Sequence, residues 1–143
     1  SKIVKHHLIE FLSQPSLFFN KKKRTLKLHF DLFHGKGNLD LAMNLLDRDN
    51  KNDFKNFMNE RTFFNPHNMF FCKTKHLKNY YSVIFPWLEE CESVFKFENL
   101  GKYGLQRIYG FLAERFLSYW FTKNTNYIEK PIIVKDLSDY RNL

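Results

Sequence analysis

The sequence predicts a helix-rich α/β domain in which a few short strands pack among helices. Apolar residues recur at helical spacing over two long stretches, 74–95 and 104–122. Two compact apolar runs, "NMFFCK" at 68–73 and "KPIIVKD" from 130, have the density and length of short strands. The 143 residues also hold 17 Phe, 7 Tyr and 2 Trp, enough apolar surface to offset chain entropy and fill one core. The order helix–strand–helix–helix–strand that results belongs to an α/β layer protein, or to half of one. Residues 1–143 therefore read as a single domain or a fragment of one.

Along the chain, "IVKHHLIEFL" at 3–12 reads as an amphipathic helix that ends before Pro15. "SLFFNKKKR" reads as a loop, and "TLKLHF" as a strand or the start of a helix. The glycines of "HGKG", 34–37, mark a turn, because they adopt backbone angles that other residues resist. Asn38 suits the N-cap of the next helix, along which Leu39, Ala42, Met43 and Leu46 share a face. "DRDNKND" reads as a polar break before a second short helix, "FKNFMN". Beyond the strand, Thr74 opens a helix with apolar positions at Leu77, Tyr80, Tyr81, Ile84, Leu88, Cys91, Val94 and Phe95. Pro86 lies inside it, lacks a backbone donor and crowds the Ser82 carbonyl, so a kink or break is expected. "ENLGKYG" is a turn, and the 104–122 helix buries Leu105, Ile108, Tyr109, Leu112, Phe116, Tyr119 and Trp120 on one broad face.

A net charge of +8 and a pI near 9.5 favour polyanions: nucleic acid, anionic headgroups or phosphorylated small molecules. The basic residues are dispersed except for "KKKR" at 21–24, which reads as a solvated loop. Aromatics are not interleaved with it as a nucleic-acid module requires, so no nucleic-acid partner is expected. No apolar run approaches the roughly 20 residues that span a bilayer, and Ser1 does not open a signal peptide. The expectation is a cytoplasmic protein with at most peripheral contact at the inner face of the membrane. Cys72 and Cys91 show neither CxxC nor zinc spacing and read as packed, reduced thiols.

Chemistry concentrates in two places. In "FNPHNMFFCKT", 64–74, Asn65, His67 and Asn68 bring amides and an imidazole to the edge of a core, with Pro66 breaking the chain between them. On the reverse of the 104–122 helix, Arg107, Gly110, Glu114 and Ser118 form a stripe flanked by Phe111, Leu117 and Phe121. Gly110 in mid-helix costs about 1 kcal/mol relative to Ala, so something is expected to approach it closely. One reading is a recess with Arg107 for phosphate or carboxylate and Glu114 for hydroxyls or a proton. The other is a helix crossing with both charges paired internally. His34 is open to three roles: general base, metal ligand or turn-capping imidazole, the last being the commonest for a histidine in a turn. His6 and His7 diverge on their helix, and His29 and His76 show no evident partner. HExxH, DxD, a Gly-rich phosphate loop and GxSxG are all missing, so the sequence offers no catalytic motif and no metal site.

Three segments, "FHGKGNLDLAMNLL", "HNMFFCKTKHLKNYYSVIFPWLEECE" and "QRIYGFLAERFLSYWF", followed by "EKPIIVKD", resemble the C-terminal half of the DUF4422 family in order and spacing. The resemblance covers roughly residues 30–135, with "NMFF" and "GFLAERF" its most specific parts. It implies a glycosyltransferase of bacterial capsule and lipooligosaccharide loci, or the acceptor-side half of one. More loosely, the arrangement is similar to retaining glycosyltransferases with a GT-A fold, which implies a GT-A-like C-terminal portion.

On matching positions the resemblance implies the following. His34 corresponds to the family's histidine, Asn68 and Met69 to its "NM" pair, and Arg107, Gly110, Glu114 and Arg115 to "R..GFLAER". Asn65 and Asn68 would bond sugar hydroxyls, with His34, His67 and Gln106 also at the substrate. Arg107 or Arg115 would neutralise diphosphate charge, and Glu114 would orient an acceptor hydroxyl or stabilise positive charge at the anomeric carbon. The implied partners are a nucleotide sugar, a glycan acceptor and an N-terminal nucleotide-binding domain, with Mn²⁺ or Mg²⁺ accompanying the donor. The alternative is a non-catalytic basic module that binds a polyanionic glycan or a partner subunit. The two part on whether Asn68, Arg107 and Glu114 converge on one cleft.

Overall fold

The computed structural model of the chain describes residues 15–95 and 103–131, and every regular element among them is helical. A single turn, α1 (Ser16–Phe19), passes through a 3-10 turn at Lys21–Lys23 into α2 (Leu26–His34). Then come α3 (Asn38–Asn44), α4 (Arg48–Glu60), α5 (Thr74–Phe95), the one-turn α6 (Tyr103–Gln106) and α7 (Ile108–Asn124). The helix expected at 3–12 and the strand expected beyond Pro131 lie outside the described residues.

The expected strand at 68–73 forms no ladder and no regular element. Its alternation is real: Phe70 turns inward, 5.6 Å from the Tyr80 ring and 5.1 Å from Phe121, while Met69 and Phe71 point out. A period of two needs only one packed surface beneath the chain, and two helices provide it. The α/β expectation is thus corrected to a helix-rich domain with no strand among the described residues.

Local chemistry explains the helix starts. Thr25 Oγ1 accepts from the Leu28 amide at 3.3 Å, and Leu26, Phe30 and His34 follow at four-residue spacing on the buried face of α2. The polar run expected to be a break instead forms the first turns of α4, because Asp47 caps it by accepting from the Asn50 amide at 3.0 Å. The N-cap of α3 is Gly37 rather than Asn38, whose side-chain amide donates back to the His34 carbonyl at 2.7 Å and closes the end of α2.

Gly35 and Gly37 both have φ of 89°, in the region that strains any L side chain. A Cβ at Gly37 would meet nothing within 4 Å, whereas one at Gly35 would lie 2.6 Å from Asn38 Nδ2. Gly37→Ala is expected to cost about 1 kcal/mol from strain alone. Gly35→Ala should cost clearly more, because it also displaces the Asn38 cap. Urea midpoints for the two variants check the order, and equal losses would mean the cap contributes nothing.

Pro86 does not break α5, which runs unbroken from Thr74 to Phe95. Both Pro86 and Ser82 are exposed, so the missing hydrogen bond falls on the solvent side, where water serves the freed carbonyl. Trp87, one residue on, is buried and donates its indole N–H to the Ala42 carbonyl at 2.7 Å, fastening α5 to α3. The long C-terminal helix is interrupted where continuity was expected: α6 ends at Gln106 and α7 begins after Arg107.

Phe54 of α4, Trp87 of α5 and Phe116 of α7 meet at the centre, all at most 3% exposed. Cys72 and Cys91 are free thiols, half-buried and buried respectively. Burial, then the nearby Glu90 charge, pushes the Cys91 thiol up to about 12. Its folded value exceeds its unfolded one, so the neutral thiol contributes stability that is lost as pH rises from about 9 to about 12. Thiol labelling at pH 8 is expected to show one fast group, Cys72, and one that reacts only on unfolding. Two fast groups would mean that the α5 packing opens readily.

Candidate functional site

After α4, the chain from 61 to 73 crosses α7. The Asn65 amide donates to Ser118 Oγ at 2.9 Å, and the Asn65 side chain donates to Glu129 Oε1 at 3.3 Å. Asn65 therefore ties this crossing segment to both α7 and the chain that leaves it. Between them opens a groove of about 1110 Å³. Phe70 and Phe121 line it together with Asn65, Thr122, Tyr127 and Glu129. The polar groups already interact, since the Tyr127 hydroxyl donates to Glu129 Oε1 at 3.3 Å, and the Thr122 hydroxyl, which donates to the Ser118 carbonyl at 2.7 Å, lies 3.5 Å from the Tyr127 oxygen. Amide, hydroxyl and carboxylate thus stand beside aromatic faces, as in small-molecule sites that combine an apolar bed with a few orienting polar groups.

Beside the groove, Arg115 is 2% exposed. Its guanidinium lies 4.0 Å from the Phe64 ring centre. One Nη donates to Glu114 Oε2 at 2.9 Å and the other to His29 Nδ1 at 3.3 Å. Because arginine only donates, His29 accepts through Nδ1 and carries its proton on Nε2. Arg115 Nε has no hydrogen-bond partner. Burial lowers this guanidinium to about 10, against the opposing pull of Glu114, so it remains a cation at neutral pH.

The residues singled out from sequence divide into two groups. Asn65, Glu114, Arg115 and Ser118 come together around Phe64. The others do not join them. His34 is 5% exposed and stacked on Phe111 at 4.0 Å, away from the groove. His67, at φ 67°, and Asn68 are exposed and line no wall of the groove. Gln106 is exposed, and Arg107 sits over the Phe111 ring at 5.6 Å. Arg107 and Ser118 are about 16 Å apart along the helix axis at 1.5 Å per residue. Asn68, Arg107 and Glu114 thus do not converge on this groove. Among the described residues, nothing lies within 4 Å of a Cβ built at Gly110.

Sequence reasoning missed His29, Phe64, Thr122, Tyr127 and Glu129. His29 meets Arg115 across 86 positions and Glu129 meets Asn65 across 64, distances at which local spacing carries no signal. Among the described residues, no group of three His, Cys, Asp or Glu side chains could hold a metal ion. Nor is any helix among them long and apolar enough to cross a membrane.

Fold and groove together give a helical, aromatic-cored chain with a polar–aromatic groove at one end of its last long helix. The chain belongs to the DUF4422 family, a domain of unknown function, whose model matches residues 1–125. No curated protein and no solved structure matches the chain.

Proposed function

We propose that this chain is the acceptor-side part of a cytoplasmic glycosyltransferase that builds bacterial surface polysaccharide at the inner membrane face. The groove carries the proposal. Its aromatic faces suit the C–H faces of a sugar ring, and Asn65, Thr122, Tyr127 and Glu129 suit its hydroxyls. Glu114 is held by Arg115 and, like Asn68, lines no wall of the groove, so the groove is proposed to bind the acceptor and the catalytic groups are assigned, with the donor, to another surface or domain. Arg107 is too far along α7 to act on a leaving group bound here, so the nucleotide-sugar diphosphate, with Mn²⁺ or Mg²⁺, belongs at another surface or another domain. A GT-A-like arrangement of the whole enzyme is part of this proposal.

Ligand-observed NMR against nucleotide sugars, nucleoside diphosphates and neutral oligosaccharides tests it. Saturable binding of one sugar class is expected, weakened about fivefold or more by Asn65→Ala or Glu129→Gln. Silence across the panel would sink the reading. Binding of any polyanion, abolished by moderate salt without preference among sugars, would favour the non-catalytic basic module instead.

A further inference from the structure

The rim of the groove is unlike its walls. Phe71 is 95% exposed, Ile128 80% and Met69 64%, and all three border the same opening. Apolar side chains this exposed around one opening lose free energy in water and mark a contact surface. Their base is tethered. Phe70 packs between Tyr80 and Phe121, and the Asn65–Glu129 bond joins the two segments that carry the tips. Lys73 and Lys130 line the same groove, both exposed. Glu129, the acidic member of the rim, accepts from Asn65 and Tyr127 through Oε1, which leaves Oε2 for a ligand. Lys123 nearby is committed to Asp53 at 2.7 Å.

We propose that this rim docks on an anionic phospholipid bilayer, with Phe71, Ile128 and Met69 entering the headgroup–acyl boundary and Lys73 and Lys130 meeting the phosphates. The charge argument favours lipid over a protein partner. A net charge of +8 and lysines lining the same opening as the apolar tips complement a fluid negative surface, which needs no matching concave shape. The lysine stems add apolar length while their ammonium groups stay at headgroup level. This docking extends the inner-face placement proposed above and turns the groove toward acceptors carried in the membrane. It does not depend on the groove taking sugar.

Sedimentation with phosphatidylcholine vesicles, with and without phosphatidylglycerol, tests the docking in the absence of any sugar. Binding is expected only with phosphatidylglycerol. It should weaken about tenfold in Phe71→Ser/Ile128→Ser, from lost apolar burial, and about fivefold per charge in Lys73→Glu/Lys130→Glu. Phe71→Trp should be quenched by brominated acyl chains over the constant background of the buried Trp87 and Trp120. Three results would each overturn the proposal: no pelleting with phosphatidylglycerol, unchanged pelleting of the apolar double variant, or an unquenched Trp at position 71. In the second case Lys21–Lys23 would be the attachment. Lipid-free NMR titration of the same protein reads sugar binding separately, so either proposal can fail alone.

Discussion

Phe116→Ala is expected to lower the unfolding free energy by about 4 kcal/mol. Phe116 is fully buried, with ring centres of Trp87 at 5.0 Å and of Phe54 and Tyr119 at 5.4 Å each. These neighbours come from α4, α5 and α7, so one side chain joins three helices. The cost of a large-to-small change depends on how far the surroundings collapse, and here they are held. Trp87 is tethered to the Ala42 carbonyl at 2.7 Å, and the Tyr119 hydroxyl donates to Asn50 Oδ1 at 2.9 Å. Relaxing into the vacated space would break those bonds, so most of the cavity should persist and the loss should sit high in the usual range. Phe116→Leu, which refills part of the volume, should recover more than half. For a domain whose total stability is about 5–15 kcal/mol, the Ala variant loses a large share. Urea unfolding with an unchanged slope checks this. A loss below about 1 kcal/mol would mean a loosely packed centre.

Spacing alone made part of each buried face legible, while Trp87, Arg115, Leu117 and Ser118 are buried without having been placed there and the expected Tyr81 and Val94 are exposed. Ile108, Leu112, Phe116, Tyr119 and Trp120 are all buried, and Thr74–Phe95 is a single helix. What failed turned on facts outside the local window. Met69, Phe70 and Phe71 alternate out, in, out, as they would in a sheet, and only the missing neighbour strand tells the difference. Pro86 reads as a breaker until its exposed side is known, and the run from Asp47 reads as a loop until its capping bond is seen. Of the site, Asn65 was legible as a polar residue beside a core. Its bond to Ser118 spans 53 positions, and nothing in either segment announces the other. Gly110, with a propensity cost of about 1 kcal/mol, has no close neighbour among the described residues, so its expected contact is not found there.

Arg115→Ala is expected to cost about 3 kcal/mol and Arg115→Met much less, a contrast that separates packing from charge. The guanidinium fills space between Phe64, at 4.0 Å, and the rings of Phe30 and Phe111, at 5.7 and 5.9 Å. Truncation to Ala empties that space and leaves His29 Nδ1 without its donor. Methionine restores most of the volume with an apolar chain, and removing a buried charge relieves the desolvation that lowers this group to about 10. Glu114 does not become a stranded buried ion, because its side chain is 18% exposed and water reaches it. Breaking this pair should therefore cost less than breaking a fully enclosed one. The same series bears on function. A guanidinium covered by Phe64 is not open to a ligand, so Arg115→Met should bind sugar within about threefold of the original, the scale of a lost indirect contact. Asn65→Ala should not. If Arg115→Met kept its stability yet lost sugar binding, the Phe64 cover would have to lift, and Arg115 would meet the ligand directly.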